Sequence, residues 1–186
     1  LFNYSIGEQD RADDLLTGLG RKSETAARQI MQYISQIFIS RQRIDDAHTI
    51  LVGLLRGAPE NSDFHYLLGV IEDKQQKPAE AIRHFSQIGD DSAFYTTARL
   101  QMAFLYEEIK QPQKAQALFD QLLEIESDNV DLLLYAGSFL ERQEKYEQAE
   151  ALYLRAIEIE PENVDLLFRL GVIYDKTGRK EAVIEQ

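Results

Sequence analysis

The chain has 186 residues, with 20 Lys and Arg against 32 Asp and Glu, so its net charge of −12 lacks the positive stripe that a nucleic-acid surface needs and favours a basic or neutral partner. Hydrophobic residues make up 44%, enough for a core, while only 10 Gly and 4 Pro point to helices rather than loops or sheets. The absence of Cys rules out disulfides and thiolate chemistry, and no apolar run approaches the length of a membrane span.

Read in chain order, the predicted helices fall into pairs. Gly18, Leu19 and Gly20 mark a helix end followed by a turn. After a turn near 41–43, Ala47 sits near the start of a helix that places Leu51 and Leu54, four and seven residues on, on one face. Gly69 lies in the next helix, and a turn near 75–78 leads to Pro78, tolerated at a helix start because its missing N–H has no partner there. Ala81, Phe85 and Ile88 repeat the small-then-large pattern. Gly89, Asp90, Asp91 and Ser92 then form a turn-like run, predicting an early helix end and a longer loop. Ala103, a turn near 109–112, Pro112, and then Ala115, Phe119 and Leu122 follow. Gly137, a turn near 143–146, and Ala149, Tyr153 and Ala156 come next, before Gly171 and a last turn near 177–179.

These positions recur every 34 residues. The clearest copy is the segment Glu126 to Leu133 against Glu160 to Leu167, where six of eight residues match. Small residues at Gly69, Ala103, Gly137 and Gly171 are expected to let two helices approach closely, met from the other side by Ala47, Ala81, Ala115 and Ala149. Each helix hairpin leaves an apolar face that only stacking on a neighbour can bury.

In period and in small/large pattern the sequence resembles the tetratricopeptide repeat family. The best copy is 130–163, with Gly137, Leu140, Ala149, Tyr153, Ala156 and Pro161. The resemblance implies an all-α fold, a right-handed α-α superhelix of helix hairpins, with full repeats at 28–61, 62–95, 96–129 and 130–163. Residues 1–27 read as a partial repeat and 164–186 as a truncated one. Both ends fall inside a repeat, and a free-standing stack needs polar end repeats, so a piece of a longer protein is expected. The sequence departs from the family in lacking Trp, and it keeps the turn glycine only as Gly178, with Gly7 a second candidate.

No catalytic, cofactor-binding or metal-binding residue is assigned, and the chain is not expected to be an enzyme. His48, His65 and His84 are 17 and 19 residues apart, fall on different helices and lack a second His at i+3 or i+4, so metal spacing is missing, and His48 and His84 are expected to be solvated or half-packed. Adjacent carboxylates such as Glu107 and Glu108, or Asp90 and Asp91, do not face each other on a helix. No phosphate-binding glycine loop or nucleophile elbow occurs.

The resemblance further implies that first helices line a concave groove. The residues so placed are Tyr66 and Val70; Leu100, Phe104, Glu107 and Glu108; Leu134, Ser138 and Glu141; and Phe168, Val172 and Asp175. Asp63, Asp73, Lys74, Thr97, Asp131, Arg142, Asp165 and Lys176 flank them, and Gln29, Gln32, Gln36 and Ile39 extend the surface toward the start. The centre is apolar and the edges acidic, matching a protein or peptide partner with apolar anchors and Lys/Arg flanks. A clamp for chaperone C-terminal carboxylates needs Lys, Asn and Arg in the groove, and the corresponding positions hold Tyr66, Val70, Ser138 or Tyr135, and Thr97 or Asp165.

The function expected is a protein–protein interaction scaffold. Two alternatives stand beside it: a regulatory or substrate-recruiting arm of a larger enzyme, and a self-assembling scaffold whose copies form a homo-oligomer. No membrane insertion and no nucleic-acid partner are expected. A soluble, cytoplasmic setting is the default expectation, and a bacterial periplasm is compatible with it.

Overall fold

The computed structural model describes residues 9–20 and 44–179. Among the described residues there are nine helices and no strand. They are α1 (Gln9–Gly20), α2 (Ile44–Gly57), α3 (Ser62–Lys74), α4 (Pro78–Ser86), α5 (Tyr95–Glu108), α6 (Pro112–Ile125), α7 (Val130–Arg142), α8 (Tyr146–Ile159) and α9 (Val164–Lys176). The chain divides into two compact units, Leu1–Ile109 and Lys110–Gln186. The turn predicted near 41–43 and the candidates Gln29, Gln32, Gln36 and Ile39 lie outside the described residues.

Helices α3, α7 and α9 start on the same device. Asn61, Asn129 and Asn163 hold extended backbone, and each side-chain oxygen accepts the N–H three residues on, from Phe64, Leu132 and Leu166, at 2.9, 3.0 and 3.3 Å. Such a cap satisfies one of the N–H groups that a helix start leaves without a partner. Glu126 and Glu160 in turn accept from the amides of Asn129 and Asn163 at 2.7 and 2.8 Å, which gives the duplicated Glu-x-x-Asn segment its physical role. Asp63, Asp131 and Asp165 occupy the first turns, where the helix dipole favours a carboxylate.

The ends of these helices are equally regular. Gln76, Lys110, Glu144 and Gly178, spaced by 34, all have positive φ (58°, 61°, 58° and 76°). At three of them the chain closes with a backbone bond across six residues: Lys77 N to Glu72 O, Lys145 N to Leu140 O and Arg179 N to Tyr174 O, at 2.9, 3.0 and 2.8 Å. Glycine fits this left-handed position without strain, but three of the four sites carry a side chain instead. Helix α4 is nine residues long against 14 in α6 and α8, and the loop after it is organised by Ser92, whose Oγ accepts from Phe94 N at 3.2 Å. The early helix end read from residues 89–92 is therefore present.

In the first unit α1 packs on α2, α2 on α3, α3 on α4 and α4 on α5. Ala47, Ile50, Leu51 and Leu54 of α2 form one core cluster with Phe64, Leu68 and Ile71 of α3. Gly69 lies against the Phe85 ring, so close that a Cβ there would stand 2.5 Å from Cε1. The second unit repeats the contact between α7 and α8, where a Cβ on Gly137 would stand 2.3 Å from Tyr153 Cε1. Phe119 and Phe139 pack with ring centroids 5.2 Å apart, joining α6 to α7. Burying each such large side chain contributes about 1.5–3 kcal/mol. Gly171, grouped with these glycines by spacing, differs. No described atom lies within 4 Å of its Cβ position, and the residues after Arg179 are not among those described.

Candidate functional site

The side chains assigned to the groove are taken unit by unit. In the first, Tyr66 of α3 is half-buried and stacks on Phe94, with centroids 4.3 Å apart and planes 13° apart. Its other side meets Phe85 at 5.9 Å, and burial raises its phenol pKa. Phe94 precedes α5 directly and was not among the sequence candidates. Val70, Leu100, Phe104 and Glu107 are half-buried, and Glu108 is exposed.

In the second unit Leu134, Glu141 and Val172 are half-buried, Asp175 is exposed, and Phe168 keeps 68% of its surface exposed. Val164 at 75%, with Phe168 and Val172, makes an apolar stripe at i, i+4 and i+8 on one face of α9. Asp165 and Asp175, three before and seven after Phe168, flank that stripe and are exposed. Ser138 sits differently: it is buried, and its Oγ is 3.2 Å from Tyr153 Oη. Tyr153 donates to Glu141 Oε2 at 3.0 Å, and Arg169 reaches the same oxygen at 3.5 Å. This network ties α7, α8 and α9 together. Burial, with the Glu141 carboxylate adding to it, pushes the Tyr153 phenol up to about 12.

The first unit holds a polar cluster that spacing did not reveal. His48 of α2, His65 and Glu72 of α3, and His84 of α4 converge. His48 Nε2 is 3.3 Å and His84 Nε2 3.5 Å from Glu72 Oε1. His65 Nδ1 is 2.9 Å from His84 Nδ1, and His65 Nε2 is 2.8 Å from Pro59 O. His65 and Glu72 are buried, and Glu72 Oε2 has no hydrogen-bond partner. His48 and His84 are half-buried, and the helix crossing turns His65 inward toward His84. One signal was present: His65 and Glu72 are seven residues apart, hence on one helix face. Among the described residues no three His, Asp or Glu side chains are placed to hold a metal ion. Nor is any described helix long and apolar enough to cross a membrane.

Comparison with known families agrees with this architecture. Models described as tetratricopeptide repeats match residues 35–93 and 97–128, and one described as a TPR repeat matches 142–178. The chain belongs to the tetratricopeptide repeat family. No curated protein sequence matches it. Among solved structures, MamA from Desulfovibrio magneticus RS-1 is similar at 16% identity and a TM-score of 0.70, over 84% of this chain and 89% of that one. YrrB, described as a TPR protein with an unusual peptide-binding site, is similar at 16% identity and a TM-score of 0.64, over 81% and 77%. The first TPR of Spaghetti (RPAP3), bound to the HSP90 peptide SRMEEVD, is similar at 20% identity and 0.54, over 63% and 93%. These likenesses establish a shared fold.

Proposed function

We propose that this chain is a protein-interaction scaffold, a binder rather than a catalyst, whose first-helix faces hold a segment of another protein. The observation that carries this reading is the repeat family itself: tetratricopeptide repeat models match residues 35–93, 97–128 and 142–178, and the first-helix positions Tyr66, Leu100, Leu134 and Phe168, spaced by 34, are all large and apolar. In the first unit Tyr66, Val70, Leu100 and Phe104 supply the corresponding half-buried apolar positions, with Glu107 and Glu108 beside them. The ligand chemistry that fits is a peptide or helix with apolar anchors flanked by Lys or Arg. YrrB and the Spaghetti domain are peptide binders of the same fold, which supports the class of activity. The Spaghetti ligand carries Glu-Glu and a terminal Asp, whereas the carboxylates flanking Phe168 here repel such a charge.

The test is a titration of the protein with labelled peptides that share apolar anchors and differ only in Lys/Arg or Asp/Glu flanks. Basic-flanked peptides should bind, and affinity should fall about tenfold or more in Phe168→Ala, mainly through faster dissociation. Equal binding of both peptide classes, with Phe168→Ala inert, would remove the assignment.

A further inference from the structure

We infer that Phe94 is a built-in occupant of the first unit's binding face: its ring lies on Tyr66, where an apolar anchor of a partner segment would lie, and such an anchor enters only by turning Phe94 aside. This rests on the reading that first-helix faces hold a partner, and it names the position that the chain fills for itself. The link that carries Phe94 departs from the repeat. Residues 58–61, 126–129 and 160–163 join a second helix to the next first helix and end on the capping Asn61, Asn129 and Asn163. Because α4 stops early, the corresponding link runs over 87–94. In steps of 34, Phe94 stands where the others carry Glu60, Asp128 and Glu162, all exposed, and Tyr95 stands where they carry the asparagine. Helix α5 accordingly starts without a side-chain cap.

A carboxylate at this place stays in water. The Phe94 ring instead lies nearly parallel to Tyr66, with planes 13° apart and centroids 4.3 Å apart, a stack of the kind that aromatic pairs favour. The second neighbour of the Tyr66 ring is Phe85, tilted by 53° at 5.9 Å. These two neighbours are not equally held. Phe85 is buried and packs over Gly69, so it belongs to the core. Phe94 is half-buried, beside the exposed Asp90, Asp91 and Ala93, and is the neighbour that can yield.

The backbone around Phe94 is pinned. Phe94 N donates to Ser92 Oγ at 3.2 Å, Tyr95 N to Ser92 O at 3.0 Å and Ala98 N to Phe94 O at 2.8 Å. Arg99 of α5 reaches back to Ile88 O at 3.4 Å, tying the start of the link to the helix that follows it. Phe94 therefore leaves Tyr66 by rotation about its own side-chain bonds, between staggered rotamers, and the link stays closed. An incoming anchor gains the Tyr66 ring only as Phe94 gives it up, so apparent affinity at this position is reduced by the fraction of molecules in which Phe94 is turned away. The preference of a typical aromatic pair sets that reduction at about two- to tenfold.

The test follows the Tyr66 and Phe168 ring resonances separately while a Lys/Arg-flanked peptide with one Leu anchor is added to the whole chain. In Phe94→Ala the Tyr66 response should reach half-saturation at about two- to tenfold less peptide, with the Phe168 response unchanged. An unchanged or weaker response at Tyr66, with Phe168 still responding, overturns the built-in occupant and leaves the binding reading standing. Silence at both rings removes the binding reading and this inference together. Should Phe94→Ala fail to fold, the unaltered protein decides. Its Phe94–Tyr66 ring contact, seen as a nuclear Overhauser effect, should vanish at saturating peptide as contacts from the Leu methyls to Tyr66 replace it. A Phe94–Tyr66 contact that persists in the saturated protein overturns the inference.

Discussion

The two units solve one packing problem with different chemistry. In each, a first-helix glycine lies under an aromatic ring of the next helix, Gly69 under Phe85 and Gly137 under Tyr153. Around that shared contact they diverge. The first unit fills the space beside it with His65, Glu72 and His84, whereas the second uses Leu133, Leu140 and Leu152 and places its polar network on Tyr153, Ser138, Glu141 and Arg169. The repeat therefore constrains where small and large groups go, and leaves open which side chains titrate. The first unit carries His84, held down to about 4 chiefly by burial, and the second Tyr153, pushed up to about 12 chiefly by burial.

The largest effect should come from the shared contact. Gly137→Leu forces a branched side chain into the Tyr153 ring and should destabilise by about 3 kcal/mol, with Gly69→Leu comparable against Phe85. Thermal melts would show it, with Glu147→Gln on the exposed face moving stability by less than about 0.5 kcal/mol. A Gly137→Leu protein that melts with Glu147→Gln would break the common-packing claim.

Alkali should act on the second unit through Tyr153. Tyr153 is pushed up to about 12 from an ordinary 10, so the unfolded chain ionises first, and stability present below about 10 is lost as pH rises toward about 12. Opening of the second unit should increase on the order of tenfold over that range, and Tyr153→Phe should flatten the response. Tyr66, raised in the same direction by burial, gives the first unit a related term, so the discriminating readout is the effect of Tyr153→Phe on α7 and α8.

Smaller effects probe the helix ends. Asn129→Ala removes the bond to Leu132 N and should lose about 1 kcal/mol, measurable by denaturant titration. Glu144→Gly places the residue suited to φ 58° at that turn and should gain about 0.5–1 kcal/mol, whereas Gly178→Ala at φ 76° should lose a similar amount.

Much of the architecture is legible in the amino-acid order. The 34-residue spacing and the prolines at Pro78 and Pro112 locate the helix pairs, and residues 89–92 mark the short helix, because backbone punctuation is local. The turn positions are harder to read, since Gln76, Lys110 and Glu144 adopt a glycine-like conformation without being glycine. The histidine cluster escapes a reading by spacing because its members come from three helices and converge only through packing. Ser138 looks like a groove residue by position, yet the Tyr153 hydroxyl gives it a buried partner. Phe168 is legible as a candidate because it repeats the large apolar position of Tyr66, Leu100 and Leu134.

The most direct test of the binding account is an amide and methyl chemical-shift map during titration with a basic-flanked peptide. Shifts are predicted on first-helix faces, around Tyr66 and Phe104 within the first unit or around Leu134 and Phe168 within the second, each unit taken by itself, and to weaken as salt screens the neighbouring carboxylates. Shifts gathered instead on the exposed positions of α6 and α8, such as Glu124 and Glu158, with no response at Phe168, would contradict it.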